Sequence, residues 1–287
     1  MTGQIGHVTL RDGVRLEYEE RGDPDGVAVL LLHGATDSRR SWDTVLPHLP
    51  PSIRAVALTQ RGHGDSDKPG ALYTIEQMAA DAAAAIDALR LGPAVVAGHS
   101  MGTWVAERLA IDSPERVRAL LIEAGPGAPR ENAELFGFFE EMSVFPGPID
   151  DEVAREFQVG TTERPLADEL LDLFVAESLK LPPDLWRVLF GSFLDIDLYE
   201  GLASVEVPAL LVWGDRDALV TRAEQDRLVE TIPQARLAVY EGTGHAVHWE
   251  EPQRFAAQLA AFALSQGRSR MMSSSESSGR SKRALTA

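Results

Sequence analysis

The sequence predicts an α/β domain whose mostly parallel sheet carries helices on both faces. Three observations lead to this prediction: short apolar runs recur along the chain, helical segments separate most of them, and Ser100 lies where a predicted strand passes into a predicted helix. Continuous apolar runs are typical of parallel strands that are buried on both faces, and strands that alternate with helices indicate a parallel sheet. The predicted strands cover 27–32, 53–58, 93–97, 117–122, 207–213 and 236–240.

The elements outside this set of strands follow from other patterns. Residues 5–21 alternate as two short strands around Arg11-Asp12-Gly13, which predicts an antiparallel hairpin with Asp-Gly at its turn. The alanine-rich segment 74–89 predicts a helix between two strands, and the segment 252–264 predicts the helix that closes the domain.

Length, composition and charge exclude several classes of protein. A chain of 287 residues with 44% apolar residues can bury a sizeable core, so we expect a soluble globular protein. Its first residues lack the basic start and apolar stretch of a signal peptide, and no apolar run approaches the roughly 18 residues of a membrane span, so we expect it in the cytoplasm. The absence of cysteine excludes disulfides and a cysteine nucleophile. The net charge of −17 argues against a nucleic-acid partner.

The interval 126–200 breaks the alternation, because no strand pattern occurs within it, and we predict a helical insertion. It holds eight of the ten phenylalanines of the chain. Most of its rings are expected to form the insertion's own core, and some to line a substrate pocket at its junction with the sheet. The candidates for that pocket are Phe136, Phe139, Met142, Phe145, Trp186 and Phe193. The interval also has seventeen acidic and five basic residues, which disfavours an anionic substrate.

The last 21 residues, 267–287, differ in composition from the rest of the chain. They contain five basic residues, one acidic residue and seven serines, with no periodic apolar pattern. This composition predicts a disordered, solvated tail. A tethering role for Arg280, Lys282 and Arg283 is the less favoured alternative.

The run Gly98-His99-Ser100-Met101-Gly102 carries the main chemical prediction. A Gly-x-Ser-x-Gly sequence between a strand and a helix is the pattern of a nucleophile elbow, in which the serine hydroxyl is exposed on a strained turn. The two glycines carry no side chain at the point where strand and helix crowd together. The sequence therefore predicts that Ser100 is a nucleophile.

A serine hydroxyl needs a base and an acid that orients the base, and both are expected later in the chain. His245 follows the last predicted strand in a glycine-rich loop and is the predicted base. The acid is expected in the loop after 207–213, where Asp217 is preferred over Asp215, which could simply brace the turn. Glu123, at the end of another strand, is a second alternative for the acid. A carboxylate at that position could instead simply pair with a neighbouring donor.

Ester hydrolysis also needs two donors directed at the developing oxyanion. One is expected to be the backbone N–H of Met101, at the start of a helix, and the other that of Ala35, because Gly34 lets the loop after 27–32 approach closely. His33 and His99 are expected to be structural residues of the oxyanion loop and of the elbow.

At this point the chain resembles the α/β-hydrolase superfamily, over residues 5–265 apart from the insertion. The motifs that carry the resemblance are Leu32-His33-Gly34-Ala35, Arg61-Gly62-His63-Gly64-Asp65-Ser66-Asp67-Lys68-Pro69, Gly98-His99-Ser100-Met101-Gly102, Trp213-Gly214-Asp215-Arg216-Asp217, and Gly244-His245 followed by Glu250-Glu251-Pro252. The resemblance implies an eight-stranded, mostly parallel sheet with a helical cap over the active site, and an acid at Asp217. The implied domains are a core of 1–125 and 201–266, a helical cap of 126–200 and the tail.

Two details refine the resemblance. Serine at position 100 is unlike the epoxide hydrolase and haloalkane dehalogenase branches, which use aspartate there. Thr59-Gln60 stands where relatives often carry an aspartate before the Arg-Gly-His-Gly run, which changes the support of that loop and leaves the predicted triad intact.

The predicted function is a serine hydrolase that needs no cofactor or metal and cleaves a neutral, fairly apolar carboxylic ester or lactone. A C–C bond hydrolase, an amidase or a perhydrolase-type activity would use the same triad, because the elbow specifies the chemistry better than the substrate. A ligand receptor with slow turnover is an alternative of another class, and turnover would distinguish it from an enzyme. The sequence does not specify an oligomeric state.

Overall fold

A computed structural model describes the backbone of residues 3–281 and the side chains of residues 3–266. Within this part of the chain, eight strands form one sheet: β1 Gln4–Thr9, β2 Arg15–Arg21, β3 Val27–Leu32, β4 Ile53–Leu58, β5 Ala94–His99, β6 Val117–Glu123, β7 Ala209–Gly214 and β8 Ala235–Tyr240. Their spatial order is β1-β2-β4-β3-β5-β6-β7-β8. β2 pairs antiparallel with β1 and β4, and every other neighbouring pair is parallel.

The α-helices of the described chain follow the predicted alternation. They are α1 Ile75–Ala88, α2 Met101–Asp112, α3 Ala133–Ser143, α4 Asp151–Val159, α5 Asp168–Ser178, α6 Pro183–Phe193, α7 Tyr199–Leu202, α8 Arg222–Thr231, α9 Val247–Glu250 and α10 Pro252–Ser281. The six strands and the hairpin predicted from the sequence are present, and the ends of those six strands differ from the prediction by at most two residues. The helices α3 to α6 lie between β6 and β7, and we call them the inserted helices.

The parallel strands are apolar throughout because both faces of the sheet are covered. In β3, Leu30 and Leu32 face a core formed with α1, α2 and part of the inserted helices. Val29 and Leu31 face the opposite core, which includes Phe255 and its neighbours on α10. The predicted fold class, an eight-stranded and mostly parallel sheet with helices on both faces, is confirmed.

The C-terminal end of the chain is described only in part. Helix α10 runs to Ser281, into the segment 267–287 for which the sequence predicts disorder. The side chains of residues 267–281 and all of residues 282–287 lie outside the described part of the chain. The side chains of Arg280, Lys282 and Arg283 are among them, so the disordered tail and the alternative tether both stay predictions. Of the helices described, none has the length and apolarity that would let it cross a bilayer.

The loop after β4 is attached to helix α1 by a buried ion pair. Arg61, 1% exposed, directs Nε and Nη2 at the two carboxylate oxygens of Asp81, with 2.6 Å between Nη2 and Oδ1. Asp12 lies 3.4 Å from the same guanidinium but is half exposed. This bidentate pair orients the Arg-Gly-His-Gly run beside the oxyanion loop.

Replacing one member of this buried pair is expected to destabilise the fold. Asp81→Asn leaves the Arg61 charge buried without its bidentate partner, so we expect the free energy of unfolding to fall by about 3 kcal/mol. Urea unfolding followed by circular dichroism measures this loss. The control is Asp87→Asn, because Asp87 lies on the same helix but pairs with Arg116 at the surface, where a pair contributes about 1 kcal/mol or less. Equal losses of unfolding free energy in the two variants would contradict the stabilising role of the buried pair.

Candidate active site

The turn between β5 and α2 holds Ser100 in a strained backbone conformation. Its φ of 51° and ψ of −119° lie in a region that residues other than glycine rarely adopt. A Cβ at Gly98 would overlap the Gly102 carbonyl, and a Cβ at Gly102 would overlap the Leu32 carbonyl, so both flanking glycines are required by close backbone contacts. Ser100 is half-buried, at the carboxyl edge of the sheet. This is the geometry that the nucleophile elbow predicts.

The loops after β7 and β8 bring Asp217 and His245 together. Asp217 Oδ2 lies 2.9 Å from His245 Nδ1, and both side chains are buried. The other oxygen of Asp217 accepts hydrogen bonds from the backbone N–H groups of Leu219 and Val220, at 2.8 and 3.0 Å. Because a carboxylate only accepts, Nδ1 of His245 carries the proton and Nε2 is left as the basic nitrogen.

The pKa of His245 is raised above its ordinary value of 6.5. Burial alone would lower this pKa, but the charge of Asp217 and its hydrogen bond outweigh burial, and the more distant carboxylates of Glu123 and Asp37 add to them. A carboxylate therefore favours the protonated form of a histidine that burial alone would keep neutral.

Ser100 and His245 line one cleft between the sheet edge and the inserted helices. The space between the atoms that line the cleft, counted out to its open mouth, is about 510 Å³. Ala35 and Met101, the two predicted oxyanion donors, also line it. Met101 is the first residue of α2, so its N–H is one of those that have no acceptor within the helix. The cleft thus contains four of the five residues predicted for the chemistry, and Asp217 lies behind His245.

The six apolar residues predicted for the pocket separate into two groups. Phe139 and Phe193 line the cleft. The other four do not: Phe136 lies beside the guanidinium of Arg130, Met142 is buried in the core, Phe145 packs partly buried against that core, and Trp186 is fully buried against Phe157 and Phe190. None of these four side chains lines the cleft, so the pocket prediction is wrong for them.

The two alternative acids have other partners. Asp215 Oδ1 accepts a hydrogen bond of 2.6 Å from the Gly242 backbone N–H, so it braces the turn between β7 and the loop that holds His245. Glu123 Oε1 accepts from both the backbone N–H and Nδ1 of His248, each at 2.8 Å. Within the described residues, neither carboxylate is hydrogen-bonded to His245.

The two histidines expected to be structural are buried among loop atoms. His33 Nδ1 donates to the Gly34 carbonyl at 2.8 Å, and its Nε2 accepts from the Gln60 N–H at 3.0 Å. Gln60 Nε2 returns a hydrogen bond to the His33 carbonyl, so Gln60 supports the oxyanion loop. The His99 ring lies between His245 and His248, with centroids 5.0 and 4.7 Å away, and burial lowers its pKa well below the ordinary value.

One buried group of side chains offers the ligand types of a metal site. Atoms of His99, Glu123 and His248 lie within 4.8 Å of one another, the one such group in the described residues. The hydrogen bonds between Glu123 and His248 already account for two of these three side chains.

Among the polar residues of the cleft that sequence reasoning missed are Asp37 and Gln158. Both are buried, and Gln158 Nε2 donates to Asp37 Oδ1 at 3.0 Å. Burial raises the pKa of Asp37 to about 6, against the opposing effects of the Gln158 hydrogen bond and two histidines. Asp37 lies only three residues after Gly34. This proximity to the predicted oxyanion donor Ala35 is a signal in the sequence that could place Asp37 near the site. Nothing in the sequence pairs it with Gln158, 121 residues away.

The chain is similar to known proteins over most of its length. A non-heme chloroperoxidase of Streptomyces lividans is 29% identical over 276 residues, which cover 91% of this chain and all of the relative. A solved structure assigned as an aryl esterase from Burkholderia cenocepacia matches with a TM-score of 0.80 and 28% identity, over 91% of this chain and 100% of that one. The structure of an enzyme that degrades N-acyl homoserine lactones matches with a TM-score of 0.73 and 26% identity, over 90% and 100%.

A protein-family model also matches most of the chain. The model of the alpha/beta hydrolase family matches residues 29–258, from β3 to the beginning of α10, and so spans the elbow and both loops that carry Asp217 and His245. The sheet order and the similarity to esterase structures agree with it. The chain therefore belongs to the α/β-hydrolase family.

Proposed function

We propose that this protein is a serine hydrolase that cleaves a neutral, fairly apolar carboxylic ester or lactone through an acyl-enzyme intermediate. The observation that carries the proposal is the meeting of Ser100, on its strained turn, and the paired His245 and Asp217 at one apolar cleft. A nucleophile, a base and a residue that orients the base are the parts that such a reaction requires.

The reaction proceeds in two halves. Ser100 Oγ forms a bond to the substrate carbonyl carbon while His245 Nε2 accepts its proton, and the N–H groups of Ala35 and Met101 stabilise the oxyanion. Collapse of this intermediate breaks the bond to the leaving oxygen, which takes the proton from His245. Water then attacks the acyl-enzyme with His245 again as the base, and the acid product and free Ser100 result. Asp217 holds the ring and stabilises its protonated form.

The proposed substrate class follows from the walls of the cleft. Phe139, Phe193, Trp104 and Trp249 contribute apolar surface to it, which favours an apolar acyl or alcohol part. The interval 126–200 carries seventeen acidic and five basic residues, which disfavours an anion. In this proposal the inserted helices are a cap domain over a core of 1–125 and 201–266.

The similar proteins support an ester or lactone as substrate. An esterase and a lactone-degrading enzyme share this fold at 28% and 26% identity, and both bonds are cleaved at an acyl carbon. The chloroperoxidase relative favours a second candidate, in which hydrogen peroxide replaces water as the acceptor of the acyl group and the product is a peracid. Formation of a peracid when peroxide is added to an ester reaction would separate this candidate from simple hydrolysis.

Removal of the nucleophile tests the proposal. Wild type is expected to release p-nitrophenol from acetate, butyrate or octanoate esters, and Ser100→Ala is expected to lower kcat by at least about 10³-fold, because no covalent intermediate can form. The control is Ser113→Ala, since Ser113 follows the other end of α2 and is outside the cleft. Ester hydrolysis that survives in Ser100→Ala would contradict the proposed mechanism.

The pH dependence of kcat/KM tests the roles of His245 and Asp217. Hydrolysis needs neutral His245, so activity falls as the pH drops through its pKa, and the raised pKa places this acid limb above pH 6.5. Asp217→Asn removes the charge that raises the pKa, so the limb moves to lower pH while the rate falls by about 10²- to 10⁴-fold.

Asp215→Asn is the matched control, because Asp215 lies two residues away and its carboxylate accepts from the Gly242 backbone N–H. It should leave the acid limb where wild type has it. An acid limb that is unchanged in Asp217→Asn would show that Asp217 does not set the pKa of the base.

A further inference from the structure

Asp37 and Gln158 form a polar pair among the aromatic and other apolar side chains of the cleft. Asp37 lies on the oxyanion loop and is 4% exposed, and Gln158 lies on α4 of the inserted helices and is fully buried. Gln158 Nε2 donates to Asp37 Oδ1 at 3.0 Å and to Ser178 Oγ at 2.8 Å. The pair therefore joins the two sides of the cleft, and the proposed reaction uses neither residue.

One hydrogen-bond acceptor of the pair has no donor among the described residues. Gln158 Oε1 is buried and has no hydrogen-bond partner among the residues that the structure describes. Its orientation is determined by Asp37, because the opposite amide orientation would place an oxygen against a carboxylate. The single hydrogen bond from Gln158 also uses only part of the acceptor capacity of the Asp37 carboxylate. A buried acceptor without a donor is destabilising, and a donor on a bound ligand would remove this cost.

The position of the pair limits where that donor lies. Asp37 follows the proposed oxyanion donor Ala35 by two residues, so their Cα atoms are at most about 7 Å apart. A ligand group that reaches Asp37 is consequently within a few bonds of the scissile carbonyl. The surrounding walls include Phe138 and Phe157, and such walls make the desolvation of an ammonium group expensive. A neutral donor suits this site better than a cation.

We propose that Asp37 and Gln158 form a subsite that binds a neutral hydrogen-bond donor of the substrate, a hydroxyl or an amide N–H, close to the scissile carbonyl. This inference rests on the proposed ester or lactone hydrolysis and narrows its substrate class. A site built to bind such a donor discriminates against the analogue that lacks it, because its own polar groups then remain unpaired.

Two pairs of esters of matched shape test the inference and distinguish the two kinds of donor. Methyl 3-hydroxybutanoate is compared with methyl 3-methylbutanoate, in which a methyl group replaces the hydroxyl. Methyl N-acetylglycinate is compared with methyl 4-oxopentanoate, in which a methylene replaces the N–H. Rates are measured by acid release at pH 8, where Asp37 is ionised, since its pKa is about 6; the titratable groups that face it are His245, His248 and Glu177.

The expected result is a preference of at least about tenfold in kcat/KM for the donor member of one pair. Asp37→Asn weakens the acceptor and Gln158→Met removes the free oxygen, and each is expected to reduce the preference by about three- to tenfold. The control is Asp43→Asn, because Asp43 lies six residues beyond Asp37 and outside the cleft. Equal kcat/KM values within both pairs for wild type, or a preference unchanged in both variants, would overturn the inference.

A purely structural role gives a different result. If Asp37 and Gln158 only brace the loop against α4, their variants lower kcat/KM for both members of a pair equally and leave the ratio unchanged. Binding of the same esters to Ser100→Ala provides a readout without turnover, and the donor member should again bind more tightly. Failure of the proposed hydrolysis appears separately, as esters that wild type does not cleave or that Ser100→Ala cleaves equally well.

Discussion

The parallel pairing of β3, β5, β6, β7 and β8 is the constraint on which the candidate site depends. It places the beginnings of four loops at one edge of the sheet: the loop of Ala35 after β3, the elbow after β5, and the loops of Asp217 and His245 after β7 and β8. The register pairs Leu32 with Gly98, so the Ala35 loop and Ser100 emerge side by side. Because successive side chains alternate between the two faces, a slip of one residue would bury the wrong set of side chains, and the two apolar cores therefore fix this register.

Burial at this edge makes the electrostatics of the site strong. His245 is buried with Asp217 against it, and His99 lies between its ring and the pair of His248 and Glu123. In such surroundings a charge interacts strongly with its neighbours, and the pKa of His245 rises although burial alone would lower it. The inserted helices complete the enclosure with aromatic rings. Gln158 Oε1 is buried in the same enclosure without a hydrogen-bond partner among the described residues, and the proposed subsite would supply one from a ligand.

The residues predicted from the sequence are those whose position is determined locally. Ser100 sits in a strand-turn-helix whose two glycines are required by backbone contacts, and such a turn is recognisable within five residues. His245 and Asp217 follow from the order of the strands. The surroundings of the aromatic residues are harder to predict. Helical periodicity indicates that Phe139 and Trp186 are both buried, but it does not indicate which residues cover them. Phe139 lines the cleft, and Trp186 packs against Phe157 and Phe190. Asp37 and Gln158 meet only through tertiary packing, over 121 residues of chain, which no local pattern records.

The central claim is that Ser100 carries the acyl group of the substrate during turnover. The most direct measurement is mass spectrometry of the protein quenched with acid within milliseconds of mixing with p-nitrophenyl butyrate, followed by peptide mapping. The account predicts one added butanoyl group per chain, located on the peptide that contains Ser100 and absent from Ser100→Ala. Turnover of the ester with no adduct under conditions of a clear p-nitrophenol burst, or an adduct on another residue, would contradict it.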